Sequence, residues 1–275
     1  MRKRDFSSPS PSRWTWLITL AATALIAACD TSLEGFDQEA TWGFVTVAAN
    51  KSGTAHFADA EGLFFKGTLA TVPNAEFTVG DTCTDTPLSG GNNLAGVTYL
   101  DAGPSVAATI GGVVQALDRT TTAEGIAYLP GGPISYNPGD SILVSVTGAS
   151  GGFPAGSIRA KTAEAFDFPT TLTVPAGSDS ILLNWTPPHD PRSSLVVSLR
   201  YATSASPTVL SRNVLCTFTD DGAGSIPFRW HQYWSTSTGN VRDVVATRLR
   251  TSYVVAGEGN LGVISTYQVP TPPRP

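Results

Sequence analysis

Residues 241–255 read Val241-Arg242-Asp243-Val244-Val245-Ala246-Thr247-Arg248-Leu249-Arg250-Thr251-Ser252-Tyr253-Val254-Val255. Val245, Thr247, Leu249, Thr251 and Tyr253 recur at every second position, so in a strand they share one face. Alternation of this length is typical of a strand with one buried and one solvated face. The stretch therefore predicts a strand in a half-exposed sheet.

Most of the remaining chain carries similar strand signals. Apolar or alternating runs occur at residues 41–47, 63–69, 97–100, 142–146, 171–174, 180–185, 195–201, 209–218 and 262–269. Turn-forming runs rich in Gly, Pro or Asn separate many of them, at residues 89–93, 130–133, 137–140 and 148–152. The best helical candidate, residues 158–166, is short and ends before Pro169, so we expect a strand or loop there. The pattern predicts an all-β protein built as an antiparallel β-sandwich.

The second half of the chain resembles a known sandwich family. Residues 180–185, ending in Trp185, are followed by Thr186-Pro187-Pro188 and by residues 195–201, an order similar to the opening of fibronectin type III modules. The resemblance implies an Ig-like sandwich in which Trp185 covers the core. It covers about thirty residues, lacks a tyrosine corner, and does not extend to residues 216–227. We infer only the sandwich architecture from this resemblance, and no adhesive function.

The N-terminus has the pattern of an export signal. A basic start at residues 1–4 leads into an apolar run at 14–25, which ends at Ile26-Ala27-Ala28-Cys29. These four residues resemble a bacterial lipobox, which implies cleavage before Cys29 and a lipid on its thiol. A transmembrane helix needs about 20 apolar residues, more than this run offers. Cleavage after an Ala-x-Ala-type site such as Ala22-Thr23-Ala24 is the other alternative.

Lipidation of Cys29 implies that the protein is located on the extracytoplasmic side of a bacterial cell envelope. The protein would contact the membrane through that lipid, because several acyl chains on one residue anchor stably. Asp30 resembles the inner-membrane retention signal of enteric lipoproteins, and the choice between inner and outer membrane stays open. The predicted organisation is a signal peptide at 1–28, a tether at 29–40, a β-rich domain at 41–168, an Ig-like sandwich at 169–269 and a disordered tail at 270–275. A single sandwich with a divergent N-terminal half is the alternative to two units.

Composition argues against a nucleic-acid partner. The chain has 17 basic and 22 acidic residues; removal of Arg2, Lys3, Arg4, Arg13 and Asp5 with the leader leaves 13 and 21, a net charge of −8. An acidic body disfavours nucleic acid and anionic lipid surfaces. Charged residues make up only 14% of the chain, while Gly and Pro total 47 residues, which favours strands and turns over surface helices.

The cysteines predict a disulfide. If Cys29 carries lipid, Cys83 and Cys216 remain, and an oxidising compartment permits them to pair. Two free, buried thiols are the alternative. The chain has no Cys-x-x-Cys motif, and its three histidines stand at no ligand spacing. We therefore predict neither a redox centre, nor a metal site, nor a cofactor.

Three motifs resemble functional sites. Residues 148–152 fit the Gly-x-Ser-x-Gly pattern around Ser150, but a hydrolase elbow needs a helix after the serine, and Phe153-Pro154 does not begin one. Residues 257–262 fit Gly-x-Gly-x-x-Gly, but with only a strand following them they favour a hairpin turn over dinucleotide binding. Pairing of the two cysteines would gather acidic side chains that could bind calcium, although turn chemistry explains them more simply: Asp81, Asp85, Asp220 and Asp221.

The aromatic segment at residues 228–234 is the most plausible binding surface. In a strand, Phe228, Trp230, Gln232 and Trp234 would share one face, so that row could simply be core. Exposed rings at Trp230, Tyr233 or Trp234 would instead suit stacking on a sugar. We expect a non-catalytic structural or protein-interaction module, with a carbohydrate-binding module as the first alternative and a serine hydrolase at Ser150 as the second.

Overall fold

The computed structural model describes residues 40–52, 54–67, 81–88, 97–122, 125–169, 172–203, 206–237 and 239–270. This part of the chain is all-β, as predicted. It contains sixteen strands and one helix: β1 (Ala40–Ser52), β2 (Ala55–Gly67), β3 (Thr82–Pro87), β4 (Thr98–Tyr99), β5 (Val106–Ile110), β6 (Val113–Thr121), β7 (Ile126–Pro130), β8 (Ile134–Ser135), β9 (Ser141–Val146), β10 (Gly156–Lys161), β11 (Ile181–Asn184), β12 (Ser193–Tyr201), β13 (Arg212–Thr219), β14 (Ala223–Ile226), α1 (Phe228–Thr236), β15 (Arg242–Ala256) and β16 (Gly259–Pro270).

Fourteen of these strands form one large sheet. Its order is β10-β9-β5-β6-β7-β2-β1-β16-β15-β12-β13-β3, with β4 and β8 also paired to β2. β11 and β14 form a separate two-stranded sheet. Neighbouring strands are antiparallel except β1 and β16, which run parallel, so the predicted antiparallel sheet is in fact mixed. The likeness to fibronectin type III modules stays a prediction.

The large sheet curls so that its inner face encloses the core. β10, at one end of the strand order, contacts β15 and β16 near the middle of that order. The approach is close at Gly156, where an added Cβ would lie 2.7 Å from that of Ala256. Farther into the core, the ring of Phe64 packs against Tyr128 and Phe153, at centroid distances of 5.4 and 4.8 Å. We call the opposite side of the sheet its outer face.

The prediction that residues 241–255 lie in a half-exposed sheet is wrong for much of the strand. Residues 243–250 of β15 are all buried, on both faces. Val244 and Ala246 belong to the inner core, while Val245 and Leu249 are buried on the outer face. β15 lies between β16 and β12, well inside a wide sheet, and an alternating pattern does not reveal that both faces are covered.

The hydrogen bonds of this sheet connect the two segments predicted as domains. β1 pairs with β16 over nine residues, and β3 pairs with β13. Cys83 on β3 lies directly opposite Cys216 on β13, with the sulfurs at disulfide distance, 1.99 Å. The predicted cysteine pairing is therefore supported. The division at residue 168 stays a prediction about folding units, since the segments on either side share one sheet.

Tyr128 anchors a turn beside the core. The hydroxyl of this fully buried residue accepts from the backbone N–H of Ala102 at 2.8 Å and lies 2.7 Å from Asp101 Oδ1 and 2.8 Å from Gly103 O. Arg119 Nε donates to the other oxygen of Asp101 at 3.1 Å. Hydrogen bonds from Arg119 and Tyr128 hold the pKa of Asp101 at about 2. The turn at residues 101–103 is thus held to β7 by the Tyr128 hydroxyl and to β6 by the ion pair between Arg119 and Asp101.

Replacing Tyr128 by Phe is expected to lower the free energy of unfolding by about 2 kcal/mol, because the Ala102 N–H loses its acceptor. Urea denaturation measures this change. Tyr136→Phe is the matched control: the Tyr136 hydroxyl is buried without a hydrogen-bond partner in the described residues, so its removal should cost less than about 0.5 kcal/mol or stabilise the protein. Equal losses in the two variants would contradict the role given to the Tyr128 hydroxyl.

Candidate functional site

The aromatic segment forms a helix, so the strand geometry considered for residues 228–234 is wrong. α1 follows Pro227, the first residue after β14, which occupies the N-cap position with a φ of −59°. Helical spacing places His231 and Trp234, three residues apart, on the buried face. Two observations in the sequence point to this helix: a proline directly before the segment, and aromatic residues spaced by three and four.

Trp234 belongs to the core. It is only 4% exposed, and its Nε1–H donates to the carbonyl oxygen of Asp243 at 3.1 Å. The guanidinium of Arg242 lies over its ring, 4.9 Å from the centroid. A ring enclosed in this way stabilises the contact between α1 and β15, and it does not present a face to a ligand.

Trp230 and Tyr233 are the accessible members of the predicted set. Trp230 is partly buried, and the guanidinium of Arg229 lies 5.5 Å from its ring centroid. Tyr233 is 62% exposed. The three rings considered for stacking therefore do not form one surface, because α1 directs Tyr233 to solvent and Trp234 to the core.

His231 fastens α1 to the chain before β11. Its Nε2 lies 3.0 Å from the carbonyl oxygen of Asp179, and its Nδ1 lies 2.7 Å from Ser235 Oγ. A carbonyl oxygen only accepts, so the Nε2–H donates to Asp179. Nδ1 of the neutral ring can then accept from the Ser235 hydroxyl. Both ring nitrogens are used in structural contacts, which leaves none for a substrate.

The most extensive polar centre surrounds Arg248 on β15. Arg248 is fully buried, and its Nε donates to Asp220 Oδ2 at 2.6 Å while its Nη2 donates to Oδ1 at 3.0 Å. Asp220 also accepts from Trp185 Nε1 and Ser193 Oγ, each at 2.7 Å. Buried charges are tolerated when they are paired and their remaining hydrogen bonds are made, and both conditions hold here.

The same arginine holds the segment between β10 and β12 against the sheet. Its terminal nitrogens donate to the carbonyl oxygens of Glu164, Ala165 and Thr186. Its guanidinium carbon lies 4.7 Å from the ring centroid of Phe166. One side chain thus satisfies three backbone acceptors that β-pairing leaves open.

Further ion pairs continue the network toward the surface. Asp190 accepts from Arg192 and from Arg250, at 2.9 and 2.5 Å. The hydrogen bond from Arg192, together with that from Arg250, holds the pKa of Asp190 well below its usual range. His189 Nδ1 lies 3.0 Å from Glu164 Oε2. The network connects the loops before and after β11 with β15.

Sequence reasoning missed this centre. Asp220 was considered only as an oxygen donor for calcium, and Arg248 as one residue of an alternating strand. The signal available in the sequence was a pair of arginines, Arg248 and Arg250, that flank Leu249 in the middle of a long strand-like run. This signal does not show which residues the arginines pair with, because their partners, Asp220 and Asp190, are distant along the chain.

Ser150 lies at the exposed tip of a tight turn, in which the Ala149 N–H donates to Phe153 O at 3.0 Å. The strand β10 follows this turn, where a nucleophile elbow requires a helix. In the described ranges, none of the hydrogen bonds made by histidine rings involves Ser150. The geometry therefore offers no support for a nucleophile.

The other two motifs are explained by turns and ion pairs. Residues 257–262 form the β15–β16 hairpin turn and the start of β16, as expected, with Gly257 at a φ of 57°. The acidic residues near the disulfide each have a protein partner: Asp85 pairs with Arg212 and Asp220 with Arg248, while Asp81 accepts from the Thr219 N–H and Asp221 from the Ala223 N–H. In the part of the chain that is described, no three His, Cys, Asp or Glu side chains gather as a metal site.

The predicted signal peptide, Cys29 and most of the tether lie outside the described residues. Within the described ranges, no helix has the length and apolar character needed to cross a membrane. Comparisons with protein-family models, curated proteins and solved structures found no match to this chain.

Proposed function

We propose that this chain is a bacterial envelope lipoprotein, anchored through lipid on Cys29, whose folded part is a non-catalytic structural or protein-interaction module. The observation that carries the proposal is the position of Cys29, which stands where the apolar run ends and eleven residues before β1 begins. Eleven residues span at most roughly 40 Å. The folded part would therefore stay near the membrane surface.

Two features of the fold support this proposal. The cysteines at disulfide distance suit an oxidising compartment outside the cytoplasm. The buried groups best equipped for chemistry are used in structural contacts: Arg248 and Asp220 join loops to the sheet, and His231 joins α1 to the segment before β11. Polar groups used in this way stabilise the folded structure, as a structural module requires.

Replacing Cys29 by Ala is expected to move the protein from the membrane fraction to the soluble fraction, because the thiol that would carry the lipid is lost. Fractionation of cells and mass measurement of the N-terminal peptide check this. Wild-type protein should yield a peptide that begins at a lipid-modified Cys29.

Stability provides the control for this experiment. The thermal unfolding of Cys29→Ala should match that of detergent-solubilised wild type, since Cys29 precedes the folded part. Continued membrane fractionation of the variant, or an unmodified mature N-terminus elsewhere, would contradict the lipoprotein proposal.

Carbohydrate binding is the second candidate, favoured by one observation, the exposed ring of Tyr233 beside Trp230 on α1. Aromatic faces stack on sugars, and a ring that is 62% exposed is available for this. A glycan array that shows binding by wild type and loss in Tyr233→Ala would support it. An array without binding would remove it.

A further inference from the structure

The hairpin between β15 and β16 ends in exposed apolar side chains. Val254 and Val255, just before the turn, are 38% and 73% exposed. The turn residues themselves, Gly257 and Glu258, are also exposed. Single apolar residues scattered over a surface are ordinary, whereas adjacent exposed ones indicate a surface that can contact an apolar partner.

The connection between β9 and β10 adds apolar residues to this end of the molecule. An added Cβ at Gly257 would lie 3.1 Å from the Cβ of Pro154, so the connection packs against the hairpin turn. Pro154 is partly exposed and Ala155 is exposed. We call the four apolar residues of this region the apolar tip: Pro154, Ala155, Val254 and Val255.

The chain enters the fold beside the apolar tip. β1 begins at Ala40, and its second residue, Thr41, lies opposite Gly259, the first residue of β16. Cys29 precedes Ala40 by eleven residues, which span at most roughly 40 Å. β1 is itself about 40 Å long. A lipid on Cys29 would therefore hold the end of the strands that carries the apolar tip nearest to the membrane, unless the tether folds back along them.

A short tether makes a weak membrane contact effective. Two valine side chains bind a bilayer weakly by themselves, but a tether turns their encounter with the lipid into an intramolecular step. Two exposed charged residues of opposite sign lie near the apolar tip: Glu258 in the turn, and Lys66, which lies opposite Thr41. Their charges offset each other, and the lysine ammonium group suits lipid phosphates.

We propose that the apolar tip is a membrane-contact surface, so that the folded part stands on the bilayer with the β15–β16 hairpin toward the lipid. This inference rests on the lipid anchor proposed above and adds an orientation to it. The valines enter the headgroup region, where apolar side chains of surface-bound segments are buried. The β1–β2 and β5–β6 hairpins, at the opposite end of their strands, face away from the membrane.

Fluorescence quenching by lipid tests the proposal on the full lipid-anchored chain. Val255→Cys is labelled with an environment-sensitive dye and reconstituted in vesicles of phosphatidylethanolamine and phosphatidylglycerol that contain a spin-labelled lipid. With Cys29 lipidated and Cys83 at disulfide distance from Cys216, the introduced thiol is the one that reacts. Quenching at this position should be roughly threefold stronger than at the control position, because the dye lies in the headgroup region.

Val114→Cys is the matched control, because Val114 is 64% exposed and lies near the end of another hairpin, between β5 and β6. The register of β6, β7, β2 and β1 places Thr121 toward the end where Ala40 lies, and Val114 is seven residues, about 23 Å, farther from that end. Both labelled variants should melt at the wild-type temperature, since both valines are exposed.

A second substitution tests whether apolar character causes the contact. Adding Val254→Asp to the labelled Val255→Cys chain should reduce its quenching to the level at position 114, because a carboxylate is costly to take out of water. Equal quenching at positions 255 and 114 in vesicle-bound protein would overturn the proposal. Protein that does not float with the vesicles would contradict the lipid anchor itself, and this contact with it, so the two failures are distinguishable.

Discussion

Replacing Asp220 by Asn is expected to lower the free energy of unfolding by about 3–5 kcal/mol, because the change leaves the Arg248 guanidinium buried without its counter-charge. Both side chains are about 1% exposed, so solvent cannot compensate for the lost carboxylate. Asn keeps the shape of the residue and retains an oxygen for Trp185 or Ser193. The measured loss therefore reports mainly on charge. Urea denaturation followed by tryptophan fluorescence checks this expectation.

A double variant separates the pair from its surroundings. Asp220→Asn combined with Arg248→Met removes both charges and should cost less than the sum of the single changes, as expected for directly coupled residues. Arg192→Gln is a surface control: its side chain is 74% exposed, and loss of its ion pair with Asp190 should cost less than about 1 kcal/mol. A loss below about 1 kcal/mol for Asp220→Asn would show that the pair does not hold the loops to the sheet.

Removing the disulfide is expected to have an effect of similar size. Changing both Cys83 and Cys216 to Ser should lower the free energy of unfolding by roughly 5 kcal/mol in the chain-entropy model, because the bond closes a loop across a sequence separation of 133 residues. Among the described strands, β3 is at the end of the sheet and pairs with β13 alone, so it should be the first strand to open. Urea denaturation and limited proteolysis around β3 measure the two effects.

Two controls accompany that experiment: a count of reactive thiols and the Cys29→Ala variant. Denatured, unreduced wild type should show no reactive Cys83 or Cys216, and reduction should release two thiols. Cys29→Ala should leave the unfolding free energy unchanged. Two titratable thiols in protein purified without reductant would contradict the pairing.

Local sequence pattern predicted many of the strands, although no predicted run covers β3, β5, β6, β7, β8 or β14. The runs at 41–47, 142–146 and 195–201 correspond to β1, β9 and β12, and the segment 158–166, expected to be a strand or loop, begins in β10 and continues as a loop. These predictions succeeded because side-chain alternation and strand-ending turns are properties of a few consecutive residues. The hairpin at Gly257 was predictable for the same reason, since a left-handed backbone conformation favours glycine.

The failures concern burial and spatial neighbours. The pattern at 228–234 was compared with strand geometry, although the proline before it and its three- and four-residue spacing fit α1. The rings considered for stacking on a sugar therefore do not share one surface, because the helix places Tyr233 at the surface and Trp234 in the core. Nothing in the local pattern of β1 shows that it runs parallel to β16, a strand more than 200 residues away.

By itself, the sequence predicted the all-β class, many strand positions, the pairing of the two cysteines and the lipid at Cys29. Only the tertiary structure decided that residues 243–250 of β15 are buried on both faces and that Arg248 pairs with Asp220. The physical reason is the range of the interactions. Strand and turn preferences depend on adjacent residues, whereas burial and charge pairing depend on groups that folding brings together from distant parts of the chain.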